Sequence, residues 1–138
     1  MPYPFIEDDG GRSESQRPRQ KEDCTVRALA VITGWTYDQV YDLLKKNGRR
    51  SHSRFHLGPW LKSNGYRLSE WAIMPLTFPA VKGERRMNPV TFISQNPHGR
   101  WIVKTAKHVF AIVDGVAHDL HPERDDRCIY KAWRFLKH

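Results

Sequence analysis

The sequence predicts an α+β domain in which helices come first and an antiparallel sheet second. Three observations carry this. The run Cys24–Gly34 is apolar nearly all round at Ala28, Leu29, Ala30, Val31 and Ile32, the pattern of a central, buried helix. Behind Thr36 and Gln39, a capping-box pair, Tyr37, Val40, Tyr41 and Leu44 recur at helical spacing. Near the C-terminus, Val109–Val113 and Val116–Leu120 flank Asp114-Gly115, a strong two-residue hairpin signal. Helices followed by a hairpin-built sheet define the α+β class.

Taken in order, residues 1–20 are poor in aliphatic side chains and rich in Gly, Ser, Arg and Pro. They predict an N-terminal arm, extended or mobile, tied down through Tyr3, Phe5 and Ile6, with residues 21–138 as a single domain. The first helix starts at Cys24 with Asp23 as N-cap and stops at Gly34. The second ends at Gly48, and a basic loop carrying exposed His52 and His56 follows. Pro59 suits the first turn of a short helix that runs through Trp60 and Leu61 to Gly65. Tyr66–Ile73 reads as a strand and Met74–Met87, with Pro75, Pro79 and Gly83, as a loop. Asn88-Pro89 opens another short helix, Trp101–Val103 is a strand, and Cys128–Tyr130 an edge strand.

The bulk composition narrows the class. At 138 residues with 39% hydrophobic and 28% charged side chains, the chain is long enough for one domain with a real core. No apolar run approaches the roughly 20 residues of a membrane span, and the first residues lack a secretory pattern, so a cytoplasmic setting without a membrane partner is expected. With only Cys24 and Cys128, a disulfide scaffold is excluded, and a single Cys24–Cys128 bridge is the minor alternative. The net charge of +8 admits a nucleic-acid partner, but the basic residues are scattered and no recognition motif accompanies them. A solvated basic face is the preferred reading.

Cys24 stands out chemically. A thiol at a helix start feels the positive end of the helix dipole, which favours the thiolate. Lys21, Glu22 and Asp23 crowd just ahead of it, which places it near solvent. The hairpin register, counted outward from Asp114-Gly115, sets Val113 opposite Val116, Phe110 opposite Asp119 and His108 opposite His121. His108, Phe110, Ala117, Asp119 and His121 then share one face, with Asp119 diagonal to His108. Asp114 already has a sufficient role in the turn. Cys24, His108 and Asp119 are thus the candidate nucleophile, base and orienting acid. His118 and His121 face apart on a strand, and no paired metal-ligand motif is present, so neither metal nor cofactor is expected.

The stretches Asp23-Cys24-Thr25-Val26-Arg27-Ala28-Leu29-Ala30 and Lys107–Asp119 resemble small papain-like cysteine peptidase-fold proteins of phages and prophages. Asp9-Gly10-Gly11-Arg12, Gly99-Arg100 and Arg127–Tyr130 with Trp133 look like that group as well. The Cys-x-x-Arg-Ala-Leu string is similar to ovarian-tumour-type deubiquitinases, and the Asp-Cys start to bacteriocin-processing peptidases. The resemblance implies a papain-like fold, with the nucleophile at a helix start packed on the sheet. It also implies hydrolysis of an amide or isopeptide bond in a peptide or protein substrate, a phage origin in the host cytoplasm, and a host protein as a further target. The silent alternative is a binding module of the same fold. Where papain-like enzymes carry an oxyanion Gln, this chain has Pro18, which leaves Gln20 or Gln16 and the Cys24 N–H; Thr25 stands where an aromatic residue often follows. Gln20 is the side-chain oxyanion candidate. Gly10-Gly11 reads first as a turn, and second as a pair small enough for a narrow protease cleft.

Overall fold

A computed structural model describes residues 2–51 and 53–137, so His52 lies outside the described residues. Among these residues the chain forms four α-helices and a seven-stranded, mostly antiparallel sheet. The elements are β1 (Phe5–Glu7), α1 (Cys24–Thr33), α2 (Tyr37–Lys46), α3 (Leu57–Ser63), β2 (Arg67–Leu68) and β3 (Trp71–Thr77). They continue with α4 (Pro89–Gln95), β4 (Arg100–Lys104), β5 (Val109–Val113), β6 (Val116–Asp119) and β7 (Lys131–Lys137). The strand order is β1-β6-β5-β4-β7-β3-β2, with β1–β6 as the parallel pair. No helix among the described residues is long and apolar enough to cross a membrane.

Strand alternation divides the apolar residues into two layers. One layer packs Val26, Leu29 and Ile32 of α1 with Val40, Leu44 and Leu61 onto Ile102, Ala111, Trp133 and Phe135. On the other face Phe92 of α4, Trp101, Val103, Phe110, Ile112 and Ile129 form a second core that also encloses Tyr3. Phe92 meets Trp101 edge-on at 5.2 Å. Each fully buried aliphatic side chain contributes about 1.5–3 kcal/mol by leaving water. α1, fully covered along nine of its ten residues, lies against β4, β5, β6 and α2. The α2 capping box is complete, with Thr36 and Gln39 bonding each other's backbone N–H. α4 is capped by Asn88 at the Thr91 N–H.

Four expectations are corrected. Tyr66–Ile73 is not one strand: Ser69, at φ 54, turns the chain so that Leu68 pairs with Trp71. Met74–Thr77 is not loop but the outer half of β3, paired along β7. Pro75 is tolerated there because β2 pairs only with Trp71 and Ala72, leaving the outer edge of β3 without ladder demand for an N–H. Cys128–Tyr130 is not an edge strand; the strand begins at Lys131 and lies inside the sheet between β4 and β3. Asp23 occupies the N-cap position of α1, but its side chain makes no capping bond and is committed to the cations described below.

The N-terminal arm is docked. Tyr3 is buried and donates its hydroxyl to the Glu123 carbonyl, while β1 extends the sheet along β6. Gly10 (φ 68) and Gly11 (φ 93) form a left-handed turn. A Cβ on Gly10 would stand 2.9 Å from the Arg27 carbonyl oxygen, so only glycine lets the arm lie this close to α1. Gly10-Gly11 is therefore a packed turn against the helix backbone.

Candidate active site

Cys24 opens α1 where the helix leaves the sheet rim, beside the start of β5. Thr25 donates its hydroxyl to the Phe55 carbonyl at 3.2 Å, and Arg49 donates to the Glu22 carbonyl at 3.0 Å; together these fix the segment before and after the thiol. The hairpin pairs Ala111 with His118, Ile112 with Ala117 and Val113 with Val116, the register counted from the turn. That register carries Asp119 to His108: Asp119 Oδ2 lies 2.5 Å from His108 Nε2. With Nε2 taken, Nδ1 is the ring nitrogen left over, and Cys24, His108 and Val109 line one cleft, close enough for the imidazole and the Val109 N–H to act on the thiol. Cys24 at the start of α1, His108 in the loop just before β5 and Asp119 at the end of β6 are brought together.

The electrostatics follow from these contacts. Burial pushes the Cys24 thiol up, but the His108 bond and charge, the Val109 N–H and the Arg27 charge outweigh it and leave the thiol below its ordinary value. Burial alone would lower His108; bonds to Asp119 and Cys24 instead raise it to about 10. Asp119 is pushed up by burial and pulled further down by His108, the Leu120 N–H and Arg27. The three shifts run in one sense, toward thiolate, imidazolium and carboxylate. Both cysteines are free.

Behind Cys24, His108 and Asp119 lies a buried network that no sequence motif spells out. Arg27 Nη1 donates to Asp119 Oδ1 at 2.7 Å, and its Nε donates to Asp23 Oδ1 at 3.1 Å. Asp23 also accepts from Arg12 at 3.1 Å and from the Tyr37 hydroxyl at 2.8 Å. The signal was present, since a charged Arg27 inside an otherwise apolar helix must find partners.

Gln20 is not brought to the thiol. Its amide donates to the carbonyls of Lys21 at 3.0 Å and Ser51 at 2.6 Å, which uses both of its hydrogens. Asp114 sits in the hairpin turn at φ 48 and accepts from the Gly99 N–H. His118 pairs with Asp8 at 2.9 Å, and His56 is exposed. Among the described residues no group of three His, Cys, Asp or Glu is placed to hold a metal ion.

The thiol opens into a narrow cleft of about 130 Å³ lined by Thr25, Arg54, Phe55, Lys104, Lys107 and Val109. The arrangement suits a nucleophile with an adjacent proton carrier and an orienting carboxylate. No protein-family model matches the chain, and neither a curated protein nor a solved structure is significantly similar to it.

Proposed function

We propose that this chain is a papain-like cysteine hydrolase, of phage origin, that cleaves an amide or isopeptide bond in a peptide or protein. The observation that carries the reading is His108, held by Asp119 through Nε2 and lining the same cleft as Cys24, whose thiol it pulls down. Cys24 sulfur attacks the scissile carbonyl carbon. The imidazolium of His108 gives its proton to the leaving amine as the carbon–nitrogen bond breaks, leaving a thioester. His108 then takes a proton from water, whose oxygen attacks the thioester, and keeps it as the carbon–sulfur bond breaks and the sulfur leaves as thiolate, which restores the starting pair. Because Asp23 does not cap α1, the first-turn N–H groups are available to the developing oxyanion.

A second reading, a silent binding module acting on a host protein, is favoured by one observation. No side-chain amide lines the cleft among the described residues. A peptidyl acyloxymethyl ketone probe separates the two. Labelling at Cys24 that is absent in Cys24→Ala and His108→Ala supports the hydrolase. Equal labelling of Cys128, or none at Cys24, removes it.

A further inference from the structure

The cleft around Cys24 carries an excess of positive charge. Arg54, Lys104, Lys107 and His56 line it, and no carboxylate does so among the described residues. Arg54, Lys104, Lys107 and Lys131 enter none of the ion pairs found among the described residues, although Arg12, Arg17, Arg27, Arg124, Arg127 and Lys137 each have at least one. Lys104 and Lys131 are direct cross-strand partners on β4 and β7, an arrangement in which like charges repel. Lys104 is partly buried, and its ammonium donates to the Thr105 carbonyl at 3.1 Å and the Ala106 carbonyl at 3.4 Å. Burial, Arg54 and Lys131 all weaken its hold on a proton, while Cys24 strengthens it. Cations crowded in this way are relieved when an anion enters between them.

Resting on the hydrolase reading, we propose that the cleft selects acidic peptides, with Arg54, Lys104 and Lys107 holding a substrate carboxylate close to the scissile bond. A single-stranded nucleic acid is the other polyanion to weigh. Binding it without sequence preference needs a row of aromatic platforms for the bases. The cleft lining offers one aromatic, Phe55, already packed edge-on against Trp60 at 5.4 Å. A peptide carboxylate needs only the converging donors, and the narrow slot suits an extended chain.

Iodoacetate and iodoacetamide test the cleft on the intact protein, because they differ only in carrying a carboxylate or a neutral amide. The readout is the ratio of their alkylation rates at Cys24, mapped by peptide mass spectrometry. The ratio should fall about two- to five-fold in Arg54→Gln and in Lys104→Gln, and about tenfold in the double variant. Lys104→Gln keeps donors for the Thr105 and Ala106 carbonyls, and circular dichroism checks the fold. In about 1 M salt, where the Debye length is ~3 Å, the wild-type ratio should drop similarly. A ratio unchanged in the folded double variant overturns the proposal. So does protection of Cys24 by an oligothymidylate when a Glu-rich peptide gives none, which would assign the cleft to nucleic acid. Iodoacetamide reacting no faster at Cys24 than at Cys128 removes the hydrolase reading instead, while the ratio at Cys24 still reports the charge of the cleft.

Discussion

Replacing Asp119 by Ala should slow alkylation of Cys24 by iodoacetamide at pH 6 by up to about 300-fold. Asp119 Oδ2 holds His108 Nε2 at 2.5 Å. Burial would lower the His108 pKa, yet its bonds to Asp119 and Cys24 carry it from 6.5 to about 10. At about 1.4 kcal/mol for each tenfold, that span is roughly 5 kcal/mol of preference for imidazolium. Without Asp119 nothing holds the ring beside Cys24, and the thiol keeps the burial that pushes it up; an ordinary thiol of pKa about 8.5 is ionised to only about one part in 300 at pH 6, which sets the scale of the loss. The pH dependence has a definite sign. A raised His108 pKa keeps the pairing fully present below 6.5 and loses it as pH rises through about 10. The lowered Asp119 pKa keeps its hold present above 3.8 and loses it as pH falls through the folded value. Wild type and variant should therefore differ most near pH 6 and converge by about pH 10, where any ordinary thiol is ionised. Asp114→Asn is the control, because Asn keeps the acceptor for the Gly99 N–H and tolerates the left-handed backbone. Its rate should match wild type, with stability within about 0.5 kcal/mol. A folded Asp119→Ala protein alkylated at the wild-type rate at pH 6, or a slow Asp114→Asn protein, would refute the assignment.

Arg27→Met removes the cation shared by buried Asp23 and Asp119, and urea unfolding should show a loss of about 3 kcal/mol. A loss below about 1 kcal/mol would mean that Arg12, Tyr37 and His108 suffice to hold the two carboxylates. Gly10→Ala combines a left-handed backbone with a Cβ 2.9 Å from the Arg27 carbonyl oxygen, whereas Gly83→Ala (φ 84) meets open space. Urea unfolding should give losses of about 3 and about 1 kcal/mol respectively; equal losses would show that the close approach to α1 is not what requires Gly10.

What the sequence made legible were the features set by near neighbours along the chain. α1, α2 and α4 announce themselves through periodicity and caps, and the β5–β6 register follows by counting from Asp114-Gly115. That local count puts Asp119 beside His108, and the structure has the two side chains hydrogen-bonded. β7 was illegible because Lys131, Arg134 and Lys137 break up its apolar residues, although Ala132, Trp133 and Phe135 are buried. One half of β3 was hidden by Pro75, which argues against a strand unless the edge position is already known. Of the two partners of Arg27, Asp23 stands at a local i,i+4 spacing, whereas Asp119 lies 92 positions away, a pairing no local pattern encodes. Gln20 rests only on the papain-like resemblance, as an amide near the position before the nucleophile that Pro18 holds, and the fold turns that amide to Ser51 instead.

The buried contacts form a chain of alternating charge: Arg12, Asp23, Arg27, Asp119, His108 and Cys24. With a cationic imidazole and an anionic thiolate, it holds three positive and three negative groups. Each interior member is flanked by opposite charge, so burial strengthens each attraction and offsets the cost of taking each ion out of water. Asp23 and Arg27 sit one helical turn apart on either side of Cys24, so the turn that presents the thiol also anchors the carboxylate that orients His108. This explains why Asp23 stands at the N-cap position without capping. A capping carboxylate would place negative charge at the first-turn N–H groups, beside the thiolate, and would withdraw those donors from an oxyanion. Turned instead toward Arg12, Arg27 and Tyr37, it leaves the positive end of α1 to Cys24.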